Sequence, residues 1–269
     1  LALKLLSAWR GDHDDMQSGF YAALTGLVAK FDALDLVANN FANLNTTGYK
    51  GQNEFYRSVA AAMGNPSLSP LNQAVNNYGV LGGAVTDMQT GPIQPTGNPL
   101  DIALAGQGFL VAKTAAGDRY TRNGSLHLNR DKVLVTTQGD PVMGLVPKPK
   151  GKPGEGPIKL PEGQISISPG GVISVNGAIA GQLKLVQFPQ GTQMAMQGNG
   201  YYTAPAAAEQ TATDPQVRQG SLESSNVNPM TQMVSLVLLQ RQTQMLQNAI
   251  TTFDKTFDQT AINNIPIIQ

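Results

Sequence analysis

From Ser18 to Asn43, apolar residues return at alternating steps of four and three: Phe20, Leu24, Leu27, Phe31, Leu34, Ala38 and Phe41. Such heptad-type spacing places them on one stripe of an amphipathic α-helix. Ala22, Ala23, Ala29 and Ala33 favour the helix by propensity, and Thr46-Thr47-Gly48 supplies a stop, with Gly48 suited to the left-handed position after a helix. The predicted helix is about 39 Å long at about 1.5 Å per residue. Near the other end, Asn228-Pro229 couples a capping residue to a first-turn proline, which predicts a helix running on towards Thr260. Its stripe is Leu236, Leu239, Thr243, Leu246, Ile250, Phe253 and Phe257, again in threes and fours. Val234, Val237, Leu238 and Met245 widen the apolar surface beyond one seam and predict contact with more than one neighbour.

Between the helices the period changes to short alternating runs broken by Gly, Pro and Asn, which predicts antiparallel β-structure. Strands are expected at Leu100 to Leu104, Phe109 to Lys113, Arg119 to Arg122 and Ser125 to Asn129, the last two joined as a hairpin by Asn123-Gly124. Further strands are expected at Lys132 to Thr136, Gln164 to Ser168, Val172 to Asn176 and Leu183 to Phe188. Pro147 to Pro157, rich in proline and glycine around three lysines, reads as an exposed loop. The fold class is therefore α+β, with N- and C-terminal helices pairing into a coiled-coil-like layer that brackets a central, mainly antiparallel β-domain. A two-helix pair covers only part of this apolar surface, so neighbouring subunits are expected to complete the burial.

Composition narrows the function. Charged residues make up 13% of the 269, with Lys+Arg 18 balanced by Asp+Glu 18, so no clustered positive charge exists to neutralise nucleic-acid phosphates. Weak self-repulsion tolerates dense association with like subunits. A cysteine count of 0 removes disulfides, thiolate catalysis and cysteine metal sites. No apolar run approaches the roughly 18 residues of a membrane span, and no cofactor is expected. His127 alternates with Leu126 and Leu128 as a strand residue rather than a general base. Gly106-Gln107-Gly108 opens like a dinucleotide fingerprint but reads as a tight turn, because position 111 is Val and no helix follows. The aspartates at 87, 101, 118, 131 and 140 lack the spacing of a metal loop. A surface adhesin or carbohydrate-binding module would explain the strands and Tyr201-Tyr202 but not the paired terminal stripes.

Three segments then stand out in order. They are Ala38-Asn39-Asn40-Phe41-Ala42-Asn43-Leu44-Asn45-Thr46-Thr47-Gly48-Tyr49-Lys50; Leu100-Asp101-Ile102-Ala103-Leu104 through Gly106-Gln107-Gly108-Phe109 to Tyr120-Thr121-Arg122-Asn123-Gly124-Ser125; and Gly220-Ser221-Leu222-Glu223-Ser224-Ser225-Asn226-Val227-Asn228. Together they resemble the rod and hook axial proteins of the bacterial flagellum, proximal-rod members first and distal-rod members second. Phe41 stands where the family more often has Leu, and Thr231-Gln232 replaces an acidic pair common among relatives.

The resemblance implies a non-enzymatic structural subunit of the basal-body rod crossing the periplasm. Its partners would be copies of itself, other flagellar rod subunits and the type III export apparatus that delivers it without a cleaved signal peptide. The expected organisation is an unmatched leader at 1–15, an N-terminal helical assembly segment at 16–64, a linker at 65–98, a β-rich domain at 99–220 and a C-terminal helical assembly segment at 221–269. The leader is either residues added ahead of the true start or a real amphipathic extension. The expected assembly interface comprises Leu24, Leu27, Phe31, Leu34, Ala38, Asn39, Asn40, Phe41 and Asn43 at one end and Leu236, Leu239, Leu246, Ile250, Phe253 and Phe257 at the other. For the asparagines two readings stand side by side: amide hydrogen bonds between subunits, or a cap-rich helix end.

Overall fold

The computed structural model describes residues 24–57, 80–147, 153–189, 191–192 and 194–263. The leader at 1–15, Phe20 and much of the linker at 65–98 lie outside them. The chain forms two compact units that share it discontinuously. Unit 1 takes Leu1–Phe41, Gln52–Val85 and Pro229–Gln269, and unit 2 takes Ala42–Gly51 and Thr86–Asn228.

Unit 1 contains helix α1 over 24–42, the two-stranded sheet of β1 (Gln52–Arg57) and β2 (Val80–Thr86), and helix α2 (Pro229–Asn263). Pro229 opens α2 where a missing N–H costs nothing, as expected for a proline in the first turn. Strand β1 falls within the segment read as helical, and β2 with β3 (Ile93–Pro95) falls within the one read as a linker.

Unit 2 is antiparallel β-structure. A five-stranded sheet has the order β10 (Gly154–Pro157), β9 (Met143–Val146), β13 (Ala178–Leu183), β12 (Val172–Val175), β11 (Ile165–Ile167). A six-stranded sheet runs β15 (Ala195–Met196), β16 (Tyr201–Thr203), β6 (Gly117–Thr121), β5 (Phe109–Thr114), β14 (Leu185–Gln187), β17 (Gln210–Thr211). Three pairs complete it: β7 (Leu126–Leu128) with β8 (Leu134–Thr136), β18 (Val217–Gln219) with β4 (Ile102–Leu104), and β19 (Ser221–Glu223) with β3. The C-terminal strands β18 and β19 thus close against the earliest strands of the unit. Strand β5 separates two cores: Leu110 joins Ile102, Leu134, Ile158 and Ile173 on one side, while Phe109 and Val111 join Tyr120, Val186 and Tyr202 on the other. Burial on both faces explains why Phe109 to Ala112 reads as an apolar run rather than an alternation.

Two expectations are corrected. Asn123-Gly124 does not make a hairpin, since β6 pairs with β5 and β16, and β7 with β8. Gly124 is instead pressed against β4: its carbonyl accepts from Ile102 N at 3.0 Å, and a Cβ on it would fall 1.7 Å from the Ile102 oxygen. Asn123 Oδ1 turns back to accept from Ser125 N at 3.0 Å. The hairpin turn sits at Asn176-Gly177 between β12 and β13, where φ values of 51° and 85° give the left-handed pair that a type I′ turn demands. The second correction is in Pro147 to Pro157, whose last four residues form edge strand β10 against β9; residues 148–152 lie outside the described residues. Prolines at the margin of a sheet leave no ladder bond unmade, which reconciles the composition with the strand.

Candidate functional site

In unit 1, α1 turns a line of small residues towards α2. Ala33 (0% exposed) and Val37 pack with Leu239, and Leu34 and Leu236 lie partly buried beside them. Gly26 faces Leu246, whose methyl groups would be 3.8 and 4.0 Å from a Cβ placed there. Thr243 is buried, its hydroxyl donating to the Leu239 carbonyl at 2.8 Å, and Leu246 and Ile250 are half-buried. Large side chains on one helix against small ones on the other allow close approach without a cavity.

The predicted stripe on α1 lies elsewhere. Leu24, Phe31 and Phe41 are exposed, as is Ala38, while Leu27 and Leu34 are half-buried. At about 3.6 residues per turn, Leu24, Val28 and Phe31 fall on the side of α1 opposite Ala29, Ala33 and Val37. The same holds for α2: Met230, Val234, Leu238 and Met245 share one exposed line, across the helix from Leu239 and Thr243. Each helix therefore carries two apolar faces, one covered within the unit and one open. Phe253 and Phe257 belong to α2, but their side chains lie outside the described residues.

Among the asparagines, Asn40 is buried and uses both ends of its amide on one backbone residue: Nδ2 donates to Gln52 O at 2.7 Å and Oδ1 accepts from Gln52 N at 2.9 Å. Within the subunit the Asn40 amide thus fixes the end of α1 to the start of β1. Asn43 Oδ1 accepts from Thr46 Oγ1 at 3.0 Å, a local turn bond, and Asn39 is exposed.

In unit 2 the three segments singled out in the sequence converge on one buried cluster of charge. Glu223, on β19, accepts from Lys50 Nζ at 2.5 Å through Oε1 and from Arg122 at 3.2 Å through Oε2. The Lys50 and Glu223 side chains are fully buried and Arg122 nearly so. Burying such a cluster is costly unless the remaining donors and acceptors are met, and all but the buried Arg122 Nε find partners. Gly91 N donates to Glu223 Oε1 at 2.8 Å, Lys50 Nζ to Gln89 O at 2.6 Å and Arg122 to Leu104 O at 3.3 Å. The Arg122 guanidinium lies 5.2 Å from the centre of the Phe109 ring, which meets Tyr202 edge-on. Burial lowers the Lys50 ammonium pKa and Glu223 opposes that shift, whereas burial raises the Tyr202 hydroxyl, which accepts from Lys50 N at 3.1 Å.

Gly48 completes the joint. Its N–H donates to Glu223 O at 2.7 Å, its φ is 68°, and a Cβ would strike the Arg122 carbonyl carbon at 2.4 Å. Next to it Asn226 acts as a clasp: Oδ1 accepts from Gly51 N at 2.8 Å, and Nδ2 donates to Asp87 O at 2.9 Å and Gln89 O at 3.1 Å. Asp87 N in turn donates to Gly51 O at 2.7 Å.

The pattern of the sequence did not reveal the roles of Lys50, Arg122, Glu223 and Asn226, although each stands in a segment it marked out. Tyr201 and Tyr202, which a binding module would present to a ligand, are buried, and His127 is exposed on β7. Among the described residues no group of three or more His, Asp or Glu is placed to hold a metal ion, and no helix is long and apolar enough to cross a membrane.

Comparison with known proteins follows the same three stretches. A flagella basal body rod protein model matches residues 20–50, a flagellar hook protein FlgE/F/G D1 domain model matches 103–175, and a flagellar basal body rod FlgEFG protein C-terminal model matches 218–264. Lys50, Arg122 and Glu223 supply one member of the cluster from each. The flagellar basal-body rod protein FlgF of Caulobacter vibrioides is 31% identical over 229 residues, covering 84% of this chain and 89% of its own length. FlgF of Salmonella typhimurium is 32% identical over 257 residues, with 89% and 95% covered. FlgG of Borreliella burgdorferi is 28% identical over 262 residues, with 89% and 96% covered.

Proposed function

The chain belongs to the flagellar basal-body rod protein family, with FlgF proteins at the higher identities, and as a structural subunit of that rod we propose that it polymerises through its terminal helices. The observation that carries this reading is the second apolar face on each helix. Phe31 is 45% exposed and Met230 72% exposed, in lines that run along the helices rather than as scattered single residues. Contiguous exposed apolar surface marks an interaction site, and repetition of one contact from subunit to subunit builds a filament if the rotation does not close.

In this reading α1 and α2 form a coiled-coil-like pair that inserts among those of neighbouring copies and other rod subunits. Leu24, Phe31, Ala38 and Phe41 lie at the contact, with Leu27 and Leu34 at its margin. Leu236, Leu239, Leu246 and Ile250 hold the pair together, and Phe253 and Phe257 extend it. Unit 2 resists shear as torque passes along the rod. The resemblance supports delivery by the flagellar type III export apparatus and a place in the proximal rod within the periplasm, and no catalytic step is assigned to the chain.

The test is a variant carrying Phe31→Asp and Val237→Asp, both at exposed positions. An unpaired charge desolvated in a contact costs several kcal/mol, so the expected result is a purified chain with intact helices and sheet that is missing from basal bodies. Normal rods containing the variant would overturn this interface.

A further inference from the structure

The chain has three Asn-Gly pairs, at 123-124, 176-177 and 199-200, and the fold treats them differently. Asn-Gly is chemically labile because a glycine nitrogen, flanked by no side chain, is free to approach the preceding carboxamide. Where the carboxamide is held or the glycine immobilised, that approach is blocked.

Asn123 is half-buried and its Oδ1 is engaged by Ser125 N, while Gly124 is wedged against the Ile102 carbonyl. Asn176 is exposed in its hairpin, yet its Oδ1 accepts from Gln164 N at 2.8 Å and its own N–H donates to Gln164 O at 3.0 Å. Its side chain also fills the space beside Gly163, where a Cβ would lie 2.4 Å from Nδ2. Asn199 has the same backbone form, with φ values of 51° and 74° across Asn199-Gly200 and a 2.9 Å bond from Tyr201 N to Gly198 O closing the turn. It is exposed, and among the described residues its carboxamide has no hydrogen-bond partner.

We propose that Asn199 is a site of spontaneous covalent modification, the turn between β15 and β16 deamidating while the other two Asn-Gly pairs are protected by the fold. The Gly200 nitrogen attacks Cγ of Asn199, a new C–N bond forms, and the bond to the amide nitrogen breaks. The proton lost by Gly200 leaves with that nitrogen as ammonia. The five-membered imide then takes up one water and opens at either carbonyl, giving aspartate or isoaspartate; no oxidant or reductant enters.

Both products add a negative charge to an exposed turn. The isoaspartyl form also lengthens the main chain by one carbon, which a tight type I′ turn cannot absorb. The change therefore weakens the outer end of the six-stranded sheet, where Gly200 O accepts from Thr121 Oγ1 at 2.9 Å. In a long-lived assembly the modified fraction records the age of the subunit.

The experiment is peptide mapping by mass spectrometry of the purified full-length chain, held for weeks in mildly alkaline buffer and sampled over time. The Asn199 peptide is expected to gain one mass unit first, with both product forms present. Asn176 and Asn123 should follow about two- to tenfold more slowly, the rate cost of first breaking one held hydrogen bond. In denaturant the three rates should converge, because the protection belongs to the fold. Equal rates in the folded chain, an unmodified Asn199, or a difference that persists in denaturant would each overturn the assignment.

Discussion

The two units handle apolar and charged groups in opposite ways. Unit 2 encloses two well-filled cores and even a buried lysine and arginine, each joined to one buried glutamate and to backbone groups of the same unit. Among the described residues, unit 1 buries a narrow line of alanine and valine against Leu239 and leaves other leucines, phenylalanine and methionine exposed. The described residues of one bury their apolar and charged groups within the subunit; those of the other leave an apolar face exposed.

The sharpest way to break this contrast is Glu223→Ala. It strands Lys50 and Arg122 without their anion, and the expected loss is about 3–5 kcal/mol from unit 2, read as a lower denaturation midpoint. Adding Lys50→Met should return part of the loss, since an apolar replacement removes the stranded charge; no recovery would show that Glu223 acts through packing alone. Ala33→Asp places a charge where α1 meets α2 and should cost a few kcal/mol. That damage should stay in unit 1, so protease resistance of unit 2 should be unchanged.

Alkaline pH probes unit 2. Burial raises the hydroxyl pKa of Tyr49, Tyr120, Tyr201 and Tyr202, so above the ordinary value of 10.0 the unfolded chain releases protons that the folded chain keeps. The folded state then binds more protons, and stability falls as pH rises, by up to about 1.4 kcal/mol per pH unit for each group. Lys50 acts in the opposite sense. Its lowered pKa means that just below 10.5 the unfolded chain holds the extra proton, and stability from this group rises with pH. Burial lowers the Lys184 pKa, but its partners Glu209 and Glu155 raise it on balance, so it acts in the same sense as the tyrosines. Five groups against one predict net alkaline destabilisation, and Tyr202→Phe should make the decline shallower in denaturation measured from pH 9 to 11, a range of about one unit either side of the phenol value. The smallest effect belongs to His127→Ala, exposed on β7: within about 0.5 kcal/mol of wild type and without loss of motility.

Much of this architecture was legible in the sequence because it is local. The helix-ending turn at Gly48, the helix start at Pro229 and the strands around Phe109 and Val172 each rest on a few neighbouring residues. Asn123-Gly124 misled because a dipeptide favours a hairpin only when both residues are free to turn left-handed, and the carbonyl of Ile102 decides that at Gly124. Helix α1 was readable as a helix but not in its orientation: large residues mark an apolar stripe, while the face buried within the unit consists of Ala29, Ala33 and Val37. The charge cluster was hidden for a different reason. Its members stand 173 and 101 residues apart, and no period links a lysine, an arginine and a glutamate that only the completed sheet brings together.

The clasp at Asn226 has a mechanical consequence. The chain passes between the units after Phe41, Gly51, Val85 and Asn228, and Gly51, Asp87 and Asn226 stand beside three of those four passages. Hydrogen bonds tie these three residues to one another. A pull on any one of these ends of unit 2 therefore reaches the other two as well. Bonds loaded together yield only together, whereas bonds loaded in series yield one at a time. These three ends of unit 2 behave less like loose tethers than like the strands of a spliced rope.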